Sequence, residues 1–117
     1  MVQPRRLRQL EKVILHTLGP LISNRLADPR LHLVTVTRVR LSADLSVAHV
    51  HWSCLGTPGE RSKAAHALEH ACGRIQGEVG RGLATRTTPR ITFHYDEGIE
   101  RAVRINRILE GLARERA

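Results

Sequence analysis

The stretch LEHACGRIQGEVG, residues 68–80, begins as a helical pattern and then places Gly73, Gly77 and Gly80 close together. A glycine inside a helix costs about 1 kcal/mol relative to alanine. Such a cost is tolerated where a bend or a close approach of the backbone is useful. The stretch therefore predicts two helical segments separated by a kink.

Helical patterns lie on both sides of this stretch. Thr57, Pro58 and Glu60 predict a helix start, because a threonine cap followed three residues later by glutamate forms a capping box. The apolar face of this helix would comprise Ala64, Ala67, Leu68 and Ala71, and that of the next helix Ile75, Val79 and Leu83. Both faces are expected to be buried.

Near the start of the chain, apolar residues at spacings of three and four predict a first helix over residues 5–25: Leu7, Leu10, Val13, Ile14, Leu18 and Leu21. Gly19-Pro20 should kink this helix or break it in two, because proline removes a backbone donor. ADPRL, residues 27–31, is expected to end the helical region.

Three strands are predicted by alternating β-branched and aromatic residues. LHLVTVTRVRL and LSVAHVHWSC, joined by SAD at residues 42–44, indicate an antiparallel hairpin. Ala48, Val50 and Trp52 would share one face of its second strand, and Val47, His49 and His51 the other. TTPRITFHYD predicts a third strand, in which Ile91, Phe93 and Tyr95 alternate with Thr92 and His94.

A last helix is indicated after Asp96, which we expect to be its N-cap. Its apolar residues are Ile99, Ala102, Val103, Ile105, Leu109 and Leu112. The predicted fold class is α+β, in the order α-β-β-α-α-β plus a C-terminal helix, with a three-stranded sheet and helices on one face. The first six elements resemble a type II KH domain, and residues 1–117 are expected to form one domain.

The charge of the chain indicates an anionic partner. The formal net charge is +8, the pI is about 11.2, and every basic residue except Lys12 and Lys63 is arginine. Arginine binds phosphate oxygens in pairs and stacks on bases. Nucleic acid is the favoured partner, and a membrane surface ranks last because the basic residues are spread over several elements.

Other classes of function find little support in the sequence. No apolar run is long enough to span a bilayer and no signal peptide is evident, so we expect a cytoplasmic protein. His66 and His70 could share a metal on one helix face, but a third ligand is not evident. Cys54 and Cys72 are interpreted as small buried apolar residues. Without a nucleophile motif or phosphate loop, we predict a protein that is not an enzyme and needs no cofactor, metal or small-molecule substrate.

The aromatic residues are few. Trp52, Phe93 and Tyr95 all fall on apolar strand faces, so the aromatic stacking platform of many single-strand binders is not expected. Trp52 is interpreted as a core residue. The composition thus favours recognition of phosphates and shape.

The chain resembles the ribosome-binding factor A family of small-subunit maturation factors. The resemblance rests on DPRLHLVTVTRVRLSADLSVAHVHW, on TPRITFHYDEGIERAVRINRIL and on ACG, and it spans nearly the whole sequence. In that family an Ala-x-Gly kink replaces the Gly-x-x-Gly loop of KH domains, which implies a kink at Ala71, Cys72 and Gly73. Gly77-Glu78-Val79-Gly80 also spells Gly-x-x-Gly, but Val79 belongs to an apolar face and Glu78 would repel phosphate, so this match is interpreted as accidental.

The resemblance implies a monomer that binds the free 30S subunit through 16S ribosomal RNA. It also implies a role in late 30S maturation, in processing of the 16S rRNA 5′ end and in growth in the cold. A general KH-type RNA-binding module or a structural ribosomal protein is the alternative. The candidate RNA-binding residues are those beyond the kink, Arg74, Arg81, Arg86 and Arg90, followed by Arg38, Arg40, Arg5, Arg6 and Arg8.

Overall fold

The computed structural model describes residues 2–83 and 85–116. Within them, β1 and β2 are antiparallel, β3 is parallel to β2, and the strand order is β1-β2-β3. The predicted α+β order and the hairpin are confirmed. The elements are α1 (Pro4–Pro20), β1 (Val34–Leu41), β2 (Val47–Cys54), α2 (Pro58–His70), α3 (Cys72–Gly82), β3 (Arg90–Tyr95) and α4 (Gly98–Arg116).

The first helical region changes its hydrogen-bond pattern after Pro20. Residues Leu21–Arg25 form a π-helical turn, and the Leu26 N–H donates to the Leu21 carbonyl at 3.0 Å. Pro20 has no N–H for the α-helical ladder, so the break predicted at Gly19-Pro20 is confirmed. A short 3-10 turn at Pro29–Leu31, capped by Asp28, then leads into the sheet.

Strand β1 contains a bulge, because its pairing with β2 shifts between Val36 and Arg38. Val34 precedes the bulge and Val39 and Leu41 follow it, yet all three are buried. A regular strand would place Val34 on the opposite face from Val39, since side chains alternate. The extra residue at Thr37 restores the apolar face and directs Arg38 and Arg40 away from the core.

The core lies between one face of the sheet and helices α1–α3. Ala48, Val50 and Trp52 are buried on that face, as predicted, and Trp52 packs edge-on against Tyr95 with ring centroids 5.0 Å apart. The helices contribute Ile14, Leu18, Ala64, Ala67, Leu68, Ile75 and Val79. The capping box predicted at Thr57 and Glu60 is present.

Close backbone approach occurs at the end of α3. A Cβ atom added at Gly80 would lie 2.7 Å from Thr88 Oγ1, whereas one added at Gly73 or Gly77 would meet nothing within 4 Å. Gln76 joins α3 to β3 by donating to the Pro89 carbonyl at 2.5 Å and accepting from the Ile91 N–H at 3.0 Å. The expectation of a tight approach within the glycine-bearing stretch therefore holds at Gly80 and not at Gly73.

The N-cap of α4 lies one residue after Asp96, the residue predicted for it. Helix α4 begins at Gly98, and the Glu97 carbonyl accepts from the Arg101 N–H at 2.9 Å, so Glu97 occupies the N-cap position. Asp96 Oδ1 nevertheless accepts from the Gly98 N–H at 2.9 Å. The N-cap assignment was therefore wrong by one residue, although the Asp96 side chain still caps the first turn; the Asp96 N–H donates to the Trp52 carbonyl at 2.6 Å.

Helix α4 extends beyond the core. Its apolar residues Ile105, Ile108, Leu109 and Leu112 are between 48% and 58% exposed. Ile99 and Val103, assigned to the same face by the sequence, lie outside the described side chains.

Candidate nucleic-acid interface

The face of the sheet opposite the helices is polar and rich in basic residues. Its strand positions, all described, contain no acidic side chain: Thr35, Arg38, Arg40, Val47, His49, His51, Ser53, Arg90, Thr92 and His94. We call this surface the open face. Arg38, Arg40 and Arg90 are exposed on it, so three of the predicted RNA-binding residues meet here.

A cluster of histidines lies at the centre of the open face. Cross-strand pairing places His51 opposite both Arg38 and His94, and His49 opposite Arg40. His49 Nδ1 lies 2.8 Å from His94 Nε2, and the His51 and His94 rings stack with centroids 5.2 Å apart. Desolvation, then the charges of Arg38 and His94, lower the pKa of His51 below its usual 6.5.

Asp96 borders this cluster with both carboxylate oxygens occupied. Oδ1 accepts from the Gly98 N–H, and Oδ2 accepts from Thr37 Oγ1 at 2.8 Å. These two hydrogen bonds, and to a lesser degree Arg38, hold the pKa of Asp96 below its usual range. The bulged residue Thr37 thus orients the one carboxylate described next to the histidines.

A groove of about 310 Å³ lies between α1 and β1 and continues the basic surface around the sheet edge. Arg8 and Lys12 line it from the helix, and Arg38 and Arg40 from the strand. Its acidic residue, Glu11, has a partner at each carboxylate oxygen: Oε2 accepts from the Leu41 N–H at 2.8 Å, and Oε1 lies 3.6 Å from the Arg40 guanidinium. Arg5 and Arg6 are exposed on the first turn of α1.

The arginines of α3 have a different environment. Arg81 donates to Glu78 and forms an ion pair with it, and Arg25 lies 3.8 Å from the other Glu78 oxygen. Arg74 donates to the Arg25 carbonyl at 3.4 Å. The hydrogen bond from Arg81, together with the charges of Arg81, Arg25 and Arg74, lowers the pKa of Glu78. One carboxylate therefore partly compensates the positive charge of this surface.

Two further candidates, Arg86 and Arg90, lie outside α3. Arg86 is exposed in the connection between α3 and β3, and Arg90 is the first residue of β3 on the open face. The structure therefore separates the four candidates beyond the kink into three places: α3 for Arg74 and Arg81, the connection for Arg86 and the open face for Arg90. From the sequence, these four arginines were expected to follow one another from the kink toward the third strand.

Helices α2 and α3 meet at Ala71, the single residue between them. Ala71 has φ −87° and ψ 0°, outside the α-helical region, and the Ile75 N–H donates to its carbonyl at 2.9 Å. Cys72 is half-buried, so the expectation of a buried residue was wrong for it, whereas Cys54 is buried. The role of Ala71, Cys72 and Gly73 in binding stays a prediction.

The Gly77–Gly80 match lies inside helix α3. Val79 is 1% exposed in the core, and Glu78 points to the arginines described above. Both features agree with the interpretation of this Gly-x-x-Gly pattern as accidental, because a phosphate-binding loop needs free backbone N–H groups.

His66 and His70 are both exposed on α2. Among the residues that the structure describes, no group of three histidine, cysteine or acidic side chains is arranged to hold a metal ion. In the same part of the chain, no helix has the length and apolar character needed to cross a bilayer.

Three features of these surfaces were missed by sequence reasoning. The contribution of Lys12 to the groove and of Arg25 to the α3 surface depends on partners distant in sequence. The histidine cluster could have been anticipated from the alternation of His49, His51 and His94, but only strand order brings the rings together.

Comparison with known proteins agrees with this architecture. The family model described as ribosome-binding factor A matches residues 6–109. The crystal structure of ribosome-binding factor A from Thermus thermophilus is 34% identical, with a TM-score of 0.67, covering 76% of this chain and 94% of that one.

A second similar structure is the Thermus thermophilus ribosome binding factor A homology model as fitted into the cryo-EM map of a 30S complex. It is 35% identical, with a TM-score of 0.61, covering 75% of this chain and 92% of that one. Together with the match over residues 6–109, these likenesses show that the chain belongs to the ribosome-binding factor A family.

Proposed function

We propose that this protein binds the free 30S ribosomal subunit through 16S rRNA and assists late 30S maturation. The observation that carries the proposal is the 35% identity to a ribosome binding factor A that has been fitted into a 30S complex. The basic surfaces support it, because Arg8, Lys12, Arg38 and Arg40 converge on one groove although they come from α1 and β1. Phosphate contacts of this kind position a protein on RNA without reading its sequence.

The proposed role is non-catalytic and cytoplasmic, and the protein would act as a monomer. We further propose that binding promotes processing of the 16S rRNA 5′ end and supports growth in the cold, as the family resemblance implies. The kink at Ala71, Cys72 and Gly73 would let the RNA backbone approach the start of α3, with Arg74 as the neighbouring cation. Arg81 and Arg86 would add contacts farther along the chain. Arg5, Arg6 and Arg8 would extend the contact along α1.

Sucrose-gradient cosedimentation with separated 30S, 50S and 70S particles at two salt concentrations tests the proposal. We expect salt-sensitive binding to 30S alone, because released counterions make phosphate contacts weaker as salt rises. Binding to all three particles would instead support a general RNA-binding module, and retention in 70S ribosomes a structural ribosomal protein.

Complementation tests the maturation role. A strain that lacks its own ribosome-binding factor A should regain growth in the cold and mature 16S rRNA 5′ ends when it expresses this protein. Primer extension measures the 5′ ends. If the protein is expressed normally and binds 30S but the 16S rRNA stays unprocessed, the processing role is contradicted. The proposal of 30S binding would still stand.

A further inference from the structure

The open face and the kink lie on different sides of the molecule. Helices α1–α3 cover one face of the sheet, and the kink belongs to this helical layer. The other face contains His49, His51 and His94, which are half-buried and whose rings contact one another. An RNA strand that follows the kink would leave the histidine cluster uncovered.

The geometry of the cluster suits planar ligands. The His51 and His94 rings stack with an inclination of 28°, and the His49 ring, whose centroid is 5.0 Å from that of His94, is tilted by 37° against it. Histidine is among the side chains on which unpaired RNA bases stack. The three rings form a stacking surface made of histidine, whereas the sequence-based expectation considered only tryptophan, tyrosine and phenylalanine.

The charge around the cluster is complementary to RNA. Arg38 and Arg40 flank the rings on β1, and Arg90 lies at the beginning of β3. Two carboxylates border the cluster, Asp96 with its oxygens held by Thr37 and Gly98 and Glu11 beside Arg40, and the three arginines outnumber them. A protein partner that docked here would need to supply acidic groups to match these arginines, whereas every RNA nucleotide supplies a phosphate next to a base.

We propose that the open face is a second RNA-contact surface, on which His49, His51 and His94 stack unpaired bases and Arg38 and Arg40 bind the adjoining phosphates. The inference rests on the proposed function, since 16S rRNA would supply the bases. Because this surface and the kink face opposite sides, the protein would lie between two segments of rRNA and constrain the distance between them.

The test compares two substitutions of one residue. His51 has a stacking contact with His94 and no ring hydrogen bond among the described contacts, so its replacement disturbs little else. His51→Ala should weaken 30S binding at least about fivefold, the lower range for losing one stacked base. His51→Phe keeps a ring and should bind within about twofold of the original protein.

His66→Ala is the matched control, because it removes one exposed histidine from α2, away from the proposed contact residues, and should leave binding unchanged. Circular dichroism and thermal unfolding verify that each variant is folded. Ultraviolet crosslinking of the 30S complex, followed by mass spectrometry of the peptide that contains residues 47–54, should find a nucleotide adduct.

Each other outcome is decisive. If His51→Ala binds 30S as the original protein does, the second surface is refuted while the proposed function stands. Equal weakening by His51→Ala and His51→Phe would refute base stacking. Crosslinks to a ribosomal protein in place of rRNA would identify a protein-binding face. Failure of the original protein to bind 30S would refute the proposed function. The inference would then be decided with a labelled single-stranded RNA of about 12 nucleotides: weaker binding by His51→Ala than by the original protein would support it, and equal binding would refute it.

Discussion

The open face of the sheet and the surface of α3 both contain several arginines, but their charges are compensated differently. On α3, Glu78 lies within ion-pair distance of both Arg81 and Arg25. On the open face, Arg40 has Glu11 at 3.6 Å and Arg38 has the ionised Asp96 nearby, but no strand residue is acidic and no described carboxylate lies within ion-pair distance of Arg38 or Arg90. The difference teaches that the number of arginines in a segment does not measure the positive charge that it presents to RNA.

The largest effect is expected from neutralising the open face. Arg38→Gln/Arg40→Gln should lower 30S affinity about tenfold and reduce the slope of log affinity against log salt by about 2, roughly 1 for each lost phosphate contact. Cosedimentation titrations at several salt concentrations measure both quantities. Arg104→Gln/Arg107→Gln on α4 removes the same charge elsewhere and serves as the control.

A smaller effect is expected from the residues that the sequence favoured. Arg74→Gln/Arg81→Gln should lower 30S affinity only about threefold, because Glu78 already compensates part of this charge. The same titrations measure it. A larger loss than that of the open-face variant would reverse the comparison and make the α3 surface the main contact.

Removing the compensating carboxylate should strengthen binding. Glu78→Gln keeps the size of the side chain and frees Arg25 and Arg81, so we expect about twofold higher 30S affinity and a steeper salt dependence. Glu110→Gln, an exposed substitution on α4, is the control. Unchanged affinity for Glu78→Gln would mean that the α3 surface does not contact the subunit.

The smallest effect is a pH dependence that belongs to the histidine cluster. In the free protein, desolvation and Arg38 keep the pKa of His51 below 6.5, and a bound phosphate would raise it, so binding would take up a proton. RNA affinity should therefore increase, by about twofold, as the pH falls from about 7.5 to about 5.5. Fluorescence anisotropy measures it, and His51→Phe should flatten the profile.

Stability should change in the opposite sense over the same range. A histidine whose folded-state pKa is depressed favours the folded state above its unfolded pKa, and this contribution is lost as the pH falls below about 6.5. Thermal unfolding of the original protein should therefore shift to lower temperature on acidification, more than that of His51→Phe. An equal shift would show that His51 is not the group responsible.

Most of the fold was predictable because local patterns agree with it. The capping box at Thr57 defines the start of α2, and the alternation of Ala48, Val50 and Trp52 defines the buried face of β2. Strand β1 was harder, since its apolar residues change phase between Val34 and Val39. A bulge in the pairing with β2 resolves that conflict, and its extra residue, Thr37, donates a hydrogen bond to the distant Asp96.

The candidate site was predictable only in its components. Basic residues and their exposure follow from composition and periodicity, and Arg38, Arg40, Arg74 and Arg81 are all exposed. Which arginines act together does not follow, because Arg90 joins the open face and Arg25 joins α3 through contacts between distant segments.

The sequence by itself determined the element order, the buried faces of β2, α2 and α3, the break at Pro20 and the excess of positive charge. These properties depend on residues within one or two helical turns or strand pairs, where propensity and alternation act. Only the tertiary structure decided where the charge is effective, since ion pairs and ring contacts act through space. It placed Glu78 beside Arg25 and Arg81, and Glu11 beside Arg40, and thereby left Arg38 and Arg90 as the open-face arginines without an ion pair among the described residues.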